Sequence, residues 1–395
     1  MNNRATLCAA AALAVTLTAN ATPIDTADGP DTVPATPITI MTRNVYVGAD
    51  VFRVLNADPI FIVPTIAEVY ATVEQTNFAE RAQVLADEVA LFQPHLIGLQ
   101  EAALVRRQSP GDVLFGNPIS ATDIDMDFLQ MYLDALGERG LNYTVAASVN
   151  NADIELPLLT DDSLDDIRLT DRDVILVRSD VIVQETQAAN FTDNVEFEIS
   201  GVLLDYLRGY AAATVTIDGR DFRFVNTHLE TGGQAEIQAA QAAELVDVLA
   251  SETLPLIVVG DFNASPESPP ERAYGRIAAA GFADVWNNRS IDDTDPGLTC
   301  CFNETLTDDE PALTSRIDVL WVRNQPNTAL EDVEATVIGA NASMQTASGL
   351  WPSDHAGVVA TLRVLGPGDD GDGDGVLDGV DNCVTRVNPL QRDSD

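Results

Sequence analysis

The chain has 395 residues and carries 62 acidic against 21 basic side chains, every base an arginine, for a formal net charge of −41. That length can bury a large core in one extended α/β domain with appendages. No basic nucleic-acid groove announces itself, and the charge repels polyanions and membrane phosphates at low salt; adaptation to a salty milieu, where screening shortens that repulsion, is a simpler account than a cationic partner.

Residues 1–21 read as a signal peptide: Arg4 gives the positive start, Leu7 to Leu17 the apolar stretch, and Ala19-Asn20-Ala21 the small-residue cleavage site. The apolar run is too short to span a bilayer, and Cys8 lies inside it rather than at a lipidation junction. Residues 22–395 are therefore expected to be exported and soluble, opening with a flexible leader at 22–37 rich in Pro, Thr and Asp.

The domain expected over 38–365 begins with a strand at Ile38–Asn44. Phe78, Ala82, Leu85, Val89 and Phe92 recur at helical spacing up to Pro94, and His95–Gln100 follows as a buried strand. Residues 102–150 hold no assignable motif, and the polar, acidic stretch 150–172 is expected to be a surface loop. Further strands are predicted at Val174–Arg178, Ala211–Ile217, Phe222–Thr227, Leu256–Gly260, Ile317–Val322 and Val358–Val364. A second helix between Thr227 and Leu256 has Ile237, Ala240, Ala243, Leu245 and Val248 on its apolar side. Strands outnumber helices, which predicts sheet packed on sheet with helices outside.

The informative polar residues stand where apolar strands end: Asn44, Glu101, His228, Asp261 with Asn263, Asp318, and Asp354-His355. A carboxylate placed straight after a buried run is costly unless a cation or hydrogen bonds compensate it. One such residue is most simply a turn cap; six sites of this kind are better explained by one common site at a rim of the sheets. Of the three histidines, His95 precedes an apolar strand and reads as a strand-entry residue, while His228 and His355 stand beside polar strand ends and point to function.

In order and context, Asn44, Leu-Gln-Glu101, Asn-Thr-His228, Gly-Asp261-Phe-Asn263, Arg316-Ile-Asp318 and Ser353-Asp354-His355 resemble the endonuclease/exonuclease/phosphatase superfamily over residues 38–365. The resemblance implies a four-layer sandwich of two packed mixed β-sheets flanked by helices, and a divalent-metal-dependent phosphoester hydrolase acting on DNA or RNA, a phospholipid or a small phosphate ester. It implies that Glu101, with Asn44, holds Mg²⁺ or Mn²⁺, and that Asp354 shares the metal or polarises its neighbour. Asp261 would orient or deprotonate the attacking water and Asn263 would hold a phosphate oxygen. His228, and His355 oriented by Asp318, would stabilise charge growing on phosphorus. Which group takes the water's proton stays open at this point. Arg208 and Arg43 are candidate phosphate contacts. The Pro-Ala-Trp-type signature of inositol phosphatases is absent, Leu313-Thr-Ser-Arg316 standing there, and no aromatic hairpin of the sphingomyelinase kind is seen.

Residues 366–395 form a linker and an acidic repeat. Asp370, Asp372, Asp374, Val376 (by its carbonyl), Asp378 and Asp381 occupy the ligand positions of a Ca²⁺-wrapping loop, with Gly375 at its turn. With Asn382-Cys383 following, the segment resembles a partial thrombospondin type 3 repeat. Cleavage of the leader would leave Cys300, Cys301 and Cys383, an odd number, so at least one unpaired thiol is expected. No His or further Cys stands at ligand spacing in the sequence around them, which argues against a metal cluster. The expected state is a monomer without a stable protein partner. The rival to an enzyme is a calcium-dependent surface or adhesion protein whose sandwich domain has lost catalysis.

Overall fold

The computed structural model describes residues 37–365 apart from 117–118, 200–201, 291–293 and 324–328. The signal peptide, most of the leader, the calcium loop and Cys383 lie outside the described residues. Chain order is β1 (Pro37–Asn44), α1 (Phe52–Leu55), α2 (Ile62–Gln75), α3 (Phe78–Phe92), β2 (Leu96–Gln100), β3 (Leu104–Gln108), β4 (Asp123–Asp127), α4 (Phe128–Glu138), β5 (Tyr143–Leu159) and β6 (Leu164–Arg178). The second half runs β7 (Ile182–Asn190), β8 (Val195–Ile199), β9 (Val202–Tyr206), β10 (Gly209–Ile217), β11 (Arg220–His228), α5 (Ala235–Leu249), β12 (Leu256–Asp261) and α6 (Ala273–Ala279). It closes with β13 (Ala283–Asp284), β14 (Asp318–Arg323), β15 (Ala329–Ile338) and β16 (Gly357–Leu365).

An eight-stranded sheet, β15-β16-β1-β2-β6-β3-β4 with β5 also on β6, faces a six-stranded sheet, β13-β14-β12-β11-β10-β7. Ile40, Ile175, Ala213, Phe224, Ile257 and Val358 fill the space between them. The outer face of the first sheet is covered by α2, α3 and α4, and that of the second by α5 and α6, giving the four-layer sandwich. Helix α3 forms because its apolar residues fall on one face, where Phe78, Ala82, Leu85 and Val89 are buried. It ends at Gln93, which turns left-handed before Pro94. Among the described residues no helix is long and apolar enough to cross a membrane.

Strand direction gathers the polar residues. Strands β1 and β2 are parallel, as are β11 and β12, so all four end at one rim. Strands β16 and β14 run antiparallel to β1 and β12 and therefore begin at that rim. His228 pairs in register with Asp261, and Asp261 with Asp318. Just inside the rim the two sheets are tied by buried amides: Gln100 Nε2 donates to Asn226 Oδ1 at 2.6 Å, and Asn226 Nδ2 donates to the Leu99 carbonyl at 2.8 Å. Gly98 permits this approach, since a Cβ there would stand 2.4 Å from Val259 and 2.6 Å from Asn226.

The expected surface loop at 150–172 is instead most of the β5–β6 hairpin, with Ile154 opposite Leu169 and Leu156 opposite Ile167. Four of its acids are not solvated, Asp165, Asp166, Asp171 and Asp173 each being at most 3 % exposed, while Asp153, Asp161 and Asp162 face solvent. Asp165 accepts from Arg107 at 2.8 Å, and Asp166 from the backbone N–H groups of Asp112 and Val113 at 2.6 and 3.0 Å. A buried, compensated acid looks like a surface residue in sequence, which hid the two-residue apolar alternation of these strands.

Candidate active site

At the rim, Asp261 sits between the two histidines. His228 Nε2 is 3.4 Å and His355 Nε2 is 3.8 Å from Asp261 Oδ2. The other ring nitrogen of each histidine is held differently. Asp318 Oδ2 lies 2.8 Å from His355 Nδ1, whereas an Arg208 guanidinium nitrogen lies 2.9 Å from His228 Nδ1. Burial works against a charged His355, yet Asp318, Asp354 and Asp261 hold its pKa well above the ordinary value, so it is a cation. Burial together with Arg208 and His355 pushes His228 well below its ordinary value, so it is neutral. Because the Arg208 N–H donates to Nδ1, neutral His228 carries its proton on Nε2, facing Asp261.

Asp261 itself is raised to about 7, first by burial and then by the charge of Asp318, with His355 opposing. Its Oδ1 accepts from the Asn263 N–H at 2.9 Å, a closure that needs the left-handed φ of 48° at Asn263. Gly260 before it has φ 150°, and a Cβ there would meet the Thr227 carbonyl at 1.9 Å, so only glycine carries the chain into this turn. The Asn263 amide donates to the Leu229 carbonyl at 3.0 Å and lies 3.2 Å from His228 Nε2.

Glu101 follows β2 in a left-handed conformation, φ 60°. One oxygen accepts from Asn44 Nδ2 at 2.9 Å and the other from the Val47 N–H at 2.7 Å. Asn44 Oδ1 accepts from the Tyr46 N–H at 2.9 Å, and its amide nitrogen also reaches Asp261 at 3.3 Å. The Asn44 amide nitrogen thus faces two carboxylates, while its oxygen, the atom a metal would take, holds the Tyr46 N–H. Asp354 is raised to about 6, chiefly by burial, with His355 opposing and the charge of Glu101 adding to the rise. Glu101 and Asp354, the latter accepting among the described residues a 3.4 Å hydroxyl contact from Ser353, form an oxygen-rich set that fits a hard divalent cation.

Of the two candidate arginines, the structure withdraws one from the cleft and keeps the other. Arg43 is buried against Glu88 at 3.1 Å and donates to the His355 carbonyl, so it supports the site from behind and touches no ligand space. Arg208 does line the cleft, 3.6 Å from Glu230 and 3.7 Å from Asp171. His95, whose Nδ1 accepts from the Thr39 N–H at 3.1 Å, opens the opposite end of β2 from Glu101, roughly 20 Å away at 3.3 Å per residue.

Several contributors were not legible in the sequence. Buried Arg81 donates to the carbonyls of Val45, Tyr46 and Pro352, clamping the loops that carry Tyr46 and Asp354. Burial lowers its pKa to about 10, still far above neutrality. Asp171 and Asp173 share one face of β6, with Asn151 beside them favouring the charge of both. Burial raises Asp171 to about 6, and burial plus the Asp171 charge raises Asp173 well above the carboxylate range. The one signal in sequence was Asp-Arg-Asp running straight into Val-Ile-Leu-Val, acids abutting a buried strand.

A raised acid holds a proton in the folded chain that the unfolded chain gives up, so stability falls as pH climbs from about 4 through the raised value. Asp173→Asn removes that loss. It is expected to raise Tm by a few degrees at about pH 8 and by much less at about pH 4, measured by thermal unfolding. An increment independent of pH would overturn this reading.

The cleft has a volume of about 280 Å³, and its lining includes Tyr46, Asp50, Phe52, Glu101, Asp171, Tyr206, Arg208, Phe302, Glu304 and Asp354 around the His228–Asp261–His355 core. Such a rim, with paired acids for a hard cation, a cationic and a neutral imidazole, and a poised carboxylate, defines a metal-dependent phosphoester hydrolase. Residues 73–355 match the model of the endonuclease/exonuclease/phosphatase family, and the chain belongs to that family. Solved structures share the fold. A family protein from Leptotrichia buccalis is 16% identical, with a TM-score of 0.52 over 82% of this chain and 99% of its own. One from Bacteroides thetaiotaomicron is 17% identical, with a TM-score of 0.52 over 84% and 98%. A mannosyl-6-phosphatase from Bacteroides thetaiotaomicron is 16% identical, with a TM-score of 0.50 over 82% and 99%. No curated protein matches the sequence.

Proposed function

We propose that this chain is an exported hydrolase of compact phosphoesters, each presenting a single phosphate to the cleft, rather than a nuclease for long chains. The observation that carries the reading is the cleft itself: one poised carboxylate between two histidines, with Arg208 the one cationic side chain named among the described lining residues beside His355, and acids on the walls. Glu101 and Asp354 would hold Mg²⁺ or Mn²⁺, which when bound supplies Lewis-acid polarisation of a phosphoryl oxygen. Asp261 orients the attacking water and accepts its proton. Cationic His355 and the Nε2–H of neutral His228 donate to non-bridging oxygens, and Asn263 holds the position beside them. Arg208 fixes the His228 tautomer and adds positive charge behind it. Retention of every acid and both histidines favours this enzyme over an inactive adhesion protein.

The test compares bis-p-nitrophenyl phosphate with long DNA across salt. Turnover of the small ester should barely change, whereas DNA cleavage should be slow at low salt and rise as salt screens the charge of −41. DNA cleaved faster than the small ester at low salt would sink the proposal in favour of a nuclease.

The Asp370–Asp381 loop is proposed to bind Ca²⁺ independently of the cleft, since it supplies its own oxygens beyond a Gly/Pro linker. Calorimetry on the full chain and on a chain lacking residues 367–395 should show a weak calcium heat, toward roughly 10⁻⁴–10⁻³ M, only in the former, with hydrolysis equal in both. Equal heats would place the calcium site elsewhere.

A further inference from the structure

The sequence offers no histidine near Cys300 and Cys301, but the fold supplies one. The 299–302 segment is braced on both sides. Cys300 N–H donates to the Ser315 carbonyl at 2.9 Å, Ala356 N–H to the Thr299 carbonyl at 2.7 Å, and Phe302 N–H to the Asp354 carbonyl at 2.7 Å. This sets Cys301 Sγ 3.9 Å from His355 Nε2, and all three ligand atoms of Cys300, Cys301 and His355 lie within 4.8 Å of one another. Cys300 is buried and Cys301 exposed, so the cluster opens to solvent. The structure thereby overturns the expectation that no histidine stands near enough to these cysteines for a metal cluster.

We propose that Cys300, Cys301 and His355 form a site for a thiophilic divalent cation, open in the dithiol state, that takes His355 out of the hydrolytic cleft. Two sulfurs and an imidazole select Zn²⁺ or Cd²⁺ over Mg²⁺, whereas Glu101 and Asp354 offer only oxygen. Ligands about 2.0–2.3 Å from one tetrahedral ion stand roughly 3.5–4 Å apart, within a side-chain rotation of the spacing here. Asp318, 2.8 Å from Nδ1, turns Nε2 toward the sulfurs, the carboxylate–histidine–metal order in which an outer acid orients a metal ligand. The two sulfurs are joined to one another in the structure. Opening the site therefore requires a thiol reductant, which is oxidised to its own disulfide and delivers two electrons and two protons to the pair. Cation binding then releases both thiol protons and the proton on His355 Nε2 to solvent. The thiophilic cation and the hydrolytic reaction compete for one residue: His355 cannot ligate through Nε2 and also donate from it.

The experiment titrates Cd²⁺ into the reduced full-length protein in excess Mg²⁺, following thiolate-to-cadmium charge-transfer absorption and, separately, phosphoester turnover. One equivalent should bind and turnover should fall at least 10-fold, while the oxidised protein shows neither change. His355→Ala should weaken cadmium binding by at least about 10-fold. Cys301→Ser, an exposed substitution, should lose the one-equivalent band and keep turnover in cadmium, and Cys383→Ser should change nothing. No band in the reduced protein, a band surviving Cys301→Ser, a band lost with Cys383→Ser, or unchanged affinity in His355→Ala would each overturn the proposal. The absorption readout does not depend on hydrolysis, so failure here and failure of the hydrolase reading are separable.

Discussion

Rigorously metal-free protein is expected to hydrolyse bis-p-nitrophenyl phosphate about 10³-fold more slowly than the Mg²⁺- or Mn²⁺-loaded protein, since a Lewis-acid contact to phosphoryl oxygen contributes several kcal/mol. The structural ground is that Glu101 and Asp354 converge on the cleft, the charge of Glu101 working against ionisation of Asp354. The charge of Arg81 relieves that conflict only in part, its guanidinium donating to the carbonyls of Thr76, Val45, Tyr46 and Pro352 rather than to either carboxylate. Chelation should leave the fold intact, since the sheets close on their own cores away from the rim. Activity should return on adding Mn²⁺, and Glu101→Gln should lose activity without returning it at any practical metal concentration. Full turnover in metal-free protein would remove Glu101 and Asp354 from the chemistry.

The second large effect belongs to the residues around Asp261. Asp261→Asn, His355→Ala and His228→Ala should each lower kcat by about 10²-fold or more, the scale of losing an acid–base or charge-stabilising group. His95→Ala should stay near wild type, because the His95 ring serves the Thr39 N–H at the far end of β2. The pH profile separates the roles. Asp261, raised to about 7 by burial and by Asp318, accepts a proton only when ionised, so kcat/KM should climb as pH rises through about 7. Asp261→Asn should flatten that rise, whereas His228→Ala, removing a group already neutral, should lower the profile without moving it. A profile that shifts equally in both variants would mean that Asp261 is not the proton acceptor.

Much of this site was readable because its residues end apolar strands. Burial of Leu-Ile-Gly-Leu and Leu-Ile-Val-Val demands that the next polar group be compensated, and six such strand ends marked one shared rim before any geometry was known. The strands that reach the rim and helix α3 were legible for the same reason, since apolar runs and helical spacing record what they bury. For α5 only the helix itself was legible, because Gln238, Ala242, Leu245 and Leu249 face the core while Val248 of the expected apolar side is exposed. By itself, then, the sequence determined the family resemblance, the strand-end residues and the place of His95 at the entry to β2.

Tertiary structure decided what depends on partners distant in the chain. Whether an acid is solvated or buried cannot be seen in a run of Asp and Leu, so the β5–β6 hairpin and the Asp171–Asp173 pair emerged only when Arg107, Arg208 and backbone amides were brought to them. The protonation of the histidines was equally hidden, because it rests on Arg208 meeting one ring at 2.9 Å and Asp318 the other at 2.8 Å. The contacts of Asn44 with Glu101 and Asp261 came only with the fold, and Arg43 left the cleft once Glu88 captured it. The meeting of Cys301 with His355 spans 54 positions and follows from the bracing of residues 299–302 between two strand approaches. Electrostatic state and ligand geometry are properties of distances, and those distances are set by sheet packing rather than by neighbours in sequence.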